Sequence, residues 1–197
     1  MHLVFDIFQG LGVAAAVGIR PFLPALAVGA LGAGDVELHF KHTHFAFLQS
    51  VPFLVGMVVG AIVLALLERS LSAEQRDSRP VRVLLVGLGL ALGALLFAGM
   101  LCRGGYAVWP GLIGGVICAG IGAAATGPLL TRVRARLDAG AASLLPTLVE
   151  LAAVLTAALS VVAPPFGVVA ILLLLWLLFA GRGRDEQKYA GLRILGK

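Results

Sequence analysis

Long apolar stretches separated by short polar breaks dominate the pattern of residues along this chain. A helix that crosses a bilayer needs about 20 mainly apolar residues. Six stretches reach or approach that length, at roughly residues 3–33, 46–68, 81–101, 107–131, 142–163 and 166–181. The breaks between them are charged or polar, or contain the Pro and Gly residues that end helices. The pattern predicts an all-α integral membrane protein with six transmembrane helices.

The composition agrees with lipid as the main solvent of the chain. Of its 197 residues, 60% are apolar and 13% are charged, and the mean hydropathy is +1.03. An average soluble domain has about 45–50% apolar and about 25% charged residues, and a chain this short cannot hide such an excess in a water-soluble core. We therefore exclude soluble enzymes and nucleic-acid-binding modules, and we expect the lipid bilayer as the main partner.

The basic residues are concentrated in alternate breaks. Twelve of the fifteen Lys and Arg residues lie in three segments, at 69–82, 132–140 and 182–197. Basic residues accumulate on the cytoplasmic side of membrane proteins, so six crossings would place the N-terminus and the C-terminus in the cytoplasm. Arg132, Arg134 and Arg136 are interpreted as anchors of this ordinary kind, with a cationic funnel on the cytoplasmic side as the alternative.

Three short matches, in the same serial order, relate the first half of the chain to the second. The pairs are Ala14–Gly18 with Ala123–Gly127, Pro52–Val55 with Pro146–Val149, and Leu95–Gly99 with Leu177–Gly181. Chance similarity in a chain rich in Ala, Leu and Gly is the alternative explanation. A duplicated unit of three helices must enter the membrane from the opposite face the second time, as in many secondary transporters.

This duplication predicts a 3+3 inverted repeat within a single membrane domain. Residues 1–103 would form the first repeat, residues 104–185 the second, and residues 186–197 a cytoplasmic tail. The tight turn expected at Arg103-Gly104-Gly105 separates the two repeats.

The first helix of each repeat carries residues that interrupt helices. In the first stretch, Pro21 lacks a backbone N–H and clashes with the preceding turn, in which Gly18 lies. The matched place in the fourth stretch carries Thr126, Gly127 and Pro128. Interruptions at corresponding positions of two halves point to a binding site near the middle of the bilayer. We therefore predict a break near the midplane in both helices.

Two charges of opposite sign lie deep within apolar stretches, one in each half. Arg20 lies near the middle of the first stretch and Glu150 near the middle of the fifth. A charge at the centre of a spanning helix costs about 2.5–3.5 kcal/mol on insertion scales, so both residues are expected to have partners. Glu68, near the end of the second stretch, is assigned to the membrane interface.

These charges and breaks together give the candidate substrate-binding site. Its predicted members are Gly18, Arg20, Pro21, Thr126, Gly127, Pro128 and Glu150. In this interpretation, Arg20 binds an anionic or polar group of a solute, with Glu150 as its resting partner or as a proton carrier. The alternative is that Arg20 and Glu150 form a structural ion pair that holds the halves together.

Two segments resemble a known bacterial family. Residues 10–24 (GLGVAAAVGIRPFLP) are similar to the opening of the membrane family described as "domain of unknown function 4126", and residues 42–48 (HTHFAFL) to the segment that leads into its second helix. The resemblance covers about the first 50 residues. It implies a small multi-pass protein of the bacterial inner membrane, with no established activity or catalytic residues.

The sequence favours a small transporter or channel for an anionic or zwitterionic solute, with its site at the helix breaks. A scaffold or assembly protein without transport activity is the alternative. No pairing of a nucleophile with a base is recognisable, so we do not expect an enzyme. No metal, and no cofactor, is expected, and the remaining partners are a small solute or ion and a second copy of the chain in a homodimer.

Overall fold

The structure, a computed structural model, describes residues 2–34, 36, 38, 40, 43–70, 79–134 and 136–192. Within these residues the chain is entirely helical, with one short 3-10 helix at Ala46–Gln49. The α-helices are α1 His2–Ile19, α2 Phe22–Ala33, α3 Val51–Ser70, α4 Arg79–Arg103, α5 Val108–Arg134, α6 Ala139–Val162 and α7 Pro164–Leu192.

The helices have the length and surface of a multi-pass membrane protein. In the described part of the chain, α3, α4, α5 and α6 are long and apolar enough to cross a bilayer, and α1, α2 and Pro164–Ala180 of α7 are shorter apolar helices. Large apolar side chains are exposed along the outer faces, such as Ile62 on α3, Ile117 on α5 and Leu155 on α6. Lipid accounts for these faces, because soluble monomers rarely expose apolar patches of this extent. Six crossings are not established by these lengths.

Helix α1 lies at the centre of the bundle and packs against α4, α5, α6 and α7. Residues 13–17 are fully buried. A methyl group added to Gly18 would lie 2.0 Å from the Ala119 carbonyl oxygen on α5, and one added to Gly167 would lie 2.0 Å from the Phe8 carbonyl oxygen. Small residues therefore let the backbones approach closely, as is usual where lipid-embedded helices associate by van der Waals packing.

The bundle has two ends, which we call the basic end and the Arg103 end. Helix α1 begins at the Arg103 end, where Asp6 pairs with Arg103, and finishes at the basic end, where Arg20, Arg82 and Arg132 line one cavity. Helix α4 runs the opposite way, because its Gly89 faces Gly18 and its Phe97 faces Gly10.

The first apolar stretch is interrupted as predicted, because α1 ends at Ile19 and α2 begins at Phe22, while the location of this break near the midplane stays a prediction. The stretch is not one interrupted crossing, however. Phe22, at the start of α2, contacts Gly60 in the middle of α3. Gly29, near the end of α2, instead faces Leu48 and Leu54, just before and at the beginning of α3. Helix α2 therefore runs back toward the Arg103 end. Its 12 residues cover only about 18 Å. The first stretch is therefore an antiparallel helix pair.

The predicted break in the fourth stretch is wrong. Helix α5 continues through Gly127 and Pro128 to Arg134. A proline removes only one hydrogen bond of a helix, and membrane helices tolerate this loss because neighbouring groups compensate for it. Pro21 differs because the chain turns back there, and it stands as the N-cap of α2.

The directions of the helices also bear on the predicted inverted repeat. Gly10 of α1 and Gly114 of α5 both face Phe97, while Gly18 faces both Gly89 on α4 and Ala119 on α5. Helices α1 and α5 therefore run in the same direction, so an inversion does not relate the two helices that were predicted to lead the repeats.

The connections between helices agree better with the sequence predictions than the predicted repeat does. The turn predicted after Arg103 is confirmed, with Gly105 at φ +76°, a backbone conformation that favours glycine. The break before Pro164 is also confirmed. Helix α7 extends to Leu192, through the first part of the predicted tail. Residues 71–78 of the first basic segment, and 193–197 of the tail, lie outside the described residues.

Helix α7 ends on the side opposite to the start of α1. It starts beside Phe8, since Gly167 faces Phe8 and Gly12, and it then runs along α1 toward the basic end. The prediction that both termini lie on one face counted residues 3–33 as a single crossing, and the antiparallel pair α1–α2 removes that assumption.

The close contact at Gly122 gives a test of this packing. A methyl group there would lie 2.2 Å from the Ala15 carbonyl oxygen, whereas one at Gly127, on the same helix, would meet nothing within 4 Å. We expect Gly122→Ala to destabilise the protein by about 1–3 kcal/mol through overpacking. Gly127→Ala should leave stability unchanged or raise it, because Ala favours helix more than Gly. Thermal unfolding of both variants in detergent checks this, and equal midpoints would contradict the packing.

Candidate functional site

A cavity of about 910 Å³ lies at the basic end, beyond the last turn of α1. Helix α4 meets Gly18 at Gly89 and extends to Arg79, and α5 meets Ile19 at Gly122 and extends to Arg134. Each of these helices therefore continues for about 15 Å or more beyond the end of α1. The cavity occupies the space that a longer α1 would fill.

The cavity brings together residues that are far apart in the sequence. Six of the seven predicted site residues line it, namely Gly18, Arg20, Pro21, Thr126, Gly127 and Pro128. The seventh, Glu150, is not among the lining residues but contacts Arg20. The α1–α2 turn supplies the first three and α5 the others, so their proximity does not depend on a second helix break.

Arg20 connects three parts of the bundle through its guanidinium group. One terminal nitrogen donates a hydrogen bond to Oε1 of Glu68 on α3, and Nε lies 3.4 Å from Oε2 of Glu150 on α6. The side chains of Arg20, Glu68 and Glu150 are 12%, 27% and 19% exposed. Removing one member of such a group leaves a poorly solvated charge without its partner, which is strongly destabilising.

Glu150 has a second role at the start of α2. Its carboxylate lies close to the backbone N–H of Leu23, in the first turn of that helix. The first N–H groups of a helix have no partner within the helix, and a negative charge there is favoured by the helix dipole. The carboxylate therefore links the Arg20 side chain to the start of α2.

Pro128 changes the wall of the cavity without interrupting α5. Because proline has no N–H, the carbonyl of Ala124 does not receive the helical hydrogen bond that residue 128 would normally donate. Ala124 and Pro128 both line the cavity. The hydroxyl of nearby Thr126 donates to the Gly122 carbonyl at 2.7 Å. The α5 wall thus combines a backbone acceptor with small residues.

Two further arginines line the cavity. Arg82 lies on α4, on the same face as Leu85 and Val86, and Arg132 lies in the last turn of α5. The sequence interpretation favoured an ordinary basic-segment role for both, with a cationic funnel as the alternative for Arg132. The spacing of Arg82, Leu85 and Val86 places them on one face of α4, but in a strongly apolar helix the sequence does not show which face lines a cavity.

The sequence interpretation did not pair Glu68 with Arg20, as the structure does. The assignment of Glu68 to the membrane interface stays a prediction. A search for an acidic partner of Arg20 in every apolar stretch would have included Glu68 alongside Glu150.

A second charged cluster lies at the Arg103 end. Arg103 pairs with Asp6 and donates to Oε1 of Gln9 at 3.1 Å. Gln9 in turn donates to the Val161 carbonyl at 2.8 Å. Asp6 and Gln9 are 3% and 4% exposed. These contacts join α1, α4 and α6, and together with the fully buried residues 13–17 of α1 they close the bundle above the cavity.

No protein-family model, no curated protein and no solved structure matches this chain. Membership of the family that residues 10–24 resemble stays a prediction. Within the described residues, no cluster of side chains has the composition of a metal site.

The Arg20 contacts predict a coupled effect on stability. We expect Arg20→Gln to cost about 3 kcal/mol or more, because it leaves Glu68 and Glu150 beside each other without a cation. Adding Glu68→Gln and Glu150→Gln should recover most of the loss, while Arg69→Gln, at the exposed neighbour of Glu68, should have little effect. Unfolding midpoints in detergent measure this. Additive losses in the triple variant would contradict the coupling.

The cavity also predicts a sharp boundary of water access along α1. Ile19 lines the cavity and Val13 is fully buried. In a background lacking Cys102 and Cys118, a charged thiol reagent should label Ile19→Cys rapidly and leave Val13→Cys unlabelled until the protein is denatured. Mass spectrometry measures the extent of labelling. If both positions react at the same rate, water is not confined to the space beyond α1.

Proposed function

We propose that this protein is a small membrane transporter or channel, and that the cavity at the α1–α2 turn binds an anionic or zwitterionic solute. The observation that carries the proposal is the set of three arginines, Arg20, Arg82 and Arg132, around one cavity within a bundle of apolar helices. Guanidinium groups bind phosphate and carboxylate well, through paired and charge-assisted hydrogen bonds.

The geometry of Arg20 supports a role beyond structure. Its partners lie on α3 and α6, and it faces the cavity at the turn between α1 and α2. A solute anion that entered the cavity would compete with the two carboxylates for the same guanidinium. Binding of the solute would then be coupled to the contacts that hold α3 and α6 at this turn.

The closed Arg103 end favours a transporter over a permanently open channel. Along α1 the cavity reaches Gly18, and beyond it residues 13–17 are fully buried against the surrounding helices. Transport in this interpretation requires a second conformation in which the Asp6–Arg103 contact opens and the basic end closes, as in alternating access.

An inverted arrangement remains part of the proposal in a changed form. Helices α2, α3 and α4 alternate in direction, and α5, α6 and α7 alternate in the opposite order. The inverted units would be these two triplets, with α1 as an additional central helix. The excess of Lys and Arg at the basic end supports a cytoplasmic location for that end, and the family resemblance supports the bacterial inner membrane.

A membrane scaffold without transport activity is the second candidate. The observation in its favour is that Arg20 already contacts two carboxylates, so the cluster has a structural explanation by itself. The two candidates differ in whether the volume of the cavity matters, because a scaffold needs the ion pairs but not the empty space.

Filling the cavity separates these candidates. Gly127 lines the cavity and Gly56 faces outward on α3, and a Cβ atom added at either position meets nothing within 4 Å. We expect Gly127→Leu to reduce solute flux at least tenfold and Gly56→Leu to leave it unchanged, with both variants as stable as the parent. The measurement is uptake of radiolabelled phosphate, sulfate, glutamate and glycine into proteoliposomes.

Arg20→Gln gives a second arm of this experiment, provided that the variant elutes as a single folded species. Its flux should fall with that of Gly127→Leu. If Gly127→Leu equals the parent in flux, the cavity does not carry the solute and the scaffold is favoured. If the parent protein carries none of the four solutes above the rate of empty liposomes, transport of a small hydrophilic solute is wrong.

A further inference from the structure

The helices around α1 form a ring that is open on one side. Helix α4 packs against α5, α5 against α7, α7 against α6, α6 against α2, and α2 against α3. Helices α3 and α4 are the remaining neighbours, and in the described part of the chain they make at most marginal contact with each other. In the described part of the chain, which lacks residues 71–78 between these two helices, the ring is therefore open toward the surrounding lipid between α3 and α4.

The cavity lies at this opening. Leu64 of α3 lines it on one side, and Leu85 and Val86 of α4 line it on the other. The outward neighbours on the two helices, Val63 and Leu84, are exposed apolar residues. The surface is therefore apolar from the lipid-facing exterior up to the arginines inside.

The size of the cavity exceeds what a simple anion needs. A water molecule takes about 30 Å³ in the liquid, and a tetrahedral oxyanion is only a few times larger. Sites for larger organic ligands have volumes of about 300–1,000 Å³, and the volume here is about 910 Å³. A ligand that fills the space must add apolar volume to its charged group.

We propose that the ligand of this site is a membrane amphiphile with an anionic phosphate headgroup, which enters from the bilayer between α3 and α4. The headgroup lies among Arg20, Arg82 and Arg132, and the chain extends past Leu64 and Leu85 into the lipid. Basic pockets between helices on the cytoplasmic side of membrane proteins bind such headgroups. The proposal rests on the proposed function and specifies its substrate class.

The first test measures binding of three probes to the purified full-length protein in detergent. The probes are dioctanoyl phosphatidylglycerol, dioctanoyl phosphatidylcholine and inorganic phosphate, and the readouts are native mass spectrometry and the shift in the unfolding midpoint. We expect phosphatidylglycerol to bind, phosphatidylcholine to bind at least tenfold more weakly, and inorganic phosphate to give no shift at the same concentration.

Charge variants then locate the headgroup. Arg132→Gln and Arg82→Gln should each weaken phosphatidylglycerol binding about fivefold, the effect of one arginine near a lipid headgroup. The matched control is Arg136→Gln, because Arg136 is exposed and is not among the residues that line the cavity. Equal affinities in all three variants would overturn the headgroup site.

Steric variants locate the path of the chain. Leu85 lines the cavity, whereas Leu84 faces outward and is 64% exposed. We expect Leu85→Trp to weaken phosphatidylglycerol binding at least tenfold and Leu84→Trp to leave it unchanged. If both variants bind as the parent does, the amphiphile does not lie between α3 and α4.

The outcomes distinguish this inference from the proposed function. If small solutes are carried in a manner that depends on Gly127 while phosphatidylglycerol does not bind, the transport function stands and the amphiphile is wrong. If phosphatidylglycerol binds as expected while neither small solutes nor a fluorescent phosphatidylglycerol crosses proteoliposome membranes, the lipid site stands and transport is wrong. Inorganic phosphate that binds as tightly as the lipid would identify a free anion as the ligand instead.

Discussion

The close approach of α1 to its neighbours is the constraint on which the rest of this structure depends. Its backbone touches α5 at Gly18 and Gly122 and α7 at Gly167, where a methyl group would collide with a carbonyl oxygen. In lipid, the association of helices gains nothing from removing apolar surface from water, so this contact must come from shape. The buried face of α5 shows the corresponding pattern, with small residues at 111, 115, 119, 122 and 125. Because α1 is packed this tightly in the centre of the bundle, the position of its end is fixed. The cavity lies in the space beyond that end.

The turn at Arg20 and Pro21 determines what that space contains. A helix that ends inside an apolar bundle leaves polar backbone groups and, here, a guanidinium that lipid cannot solvate. Glu68 approaches from α3, and Glu150 from α6 contacts both Arg20 and the first turn of α2. The same interactions that satisfy the turn thus attach α2, α3 and α6 to it, while α4 and α5 form the other wall and bring two more arginines. Stability and a charged cavity therefore arise from one arrangement.

Much of this arrangement was predictable from sequence, and the failures have physical reasons. The lengths of the apolar stretches predicted the helices, and Gly18 with Pro21 predicted the break between α1 and α2. The cost of placing a charge in lipid predicted that Arg20 and Glu150 are partners, and the two are in contact. The length of the stretch 3–33 concealed two antiparallel helices, because a turn made of Arg and Pro between apolar residues adds little polarity to the pattern. The break predicted at Pro128 was wrong because the sequence shows that a backbone hydrogen bond is lost there, but not whether the chain turns. The inward positions of Glu68 and Arg82 depend on how helices are rotated against one another, and a strongly apolar helix has no polar face to reveal this.

Helix α5 has unequal mechanical support along its length. Up to Gly122, α5 packs closely against both α1 and α4. Beyond Gly122, the helix lacks the backbone hydrogen bond at Pro128 and lines the cavity. Helices bend most readily at prolines, so the final turns of α5 can tilt about Pro128 while the closely packed part of the helix stays in place. The threonines on either side of Pro128 donate to carbonyls four residues earlier, Thr126 to Gly122 and Thr131 to Gly127, and hydrogen bonds of this kind also favour bending of a helix. A small rotation at Pro128 would therefore move Arg132, in the last turn of α5, across the opening of the cavity.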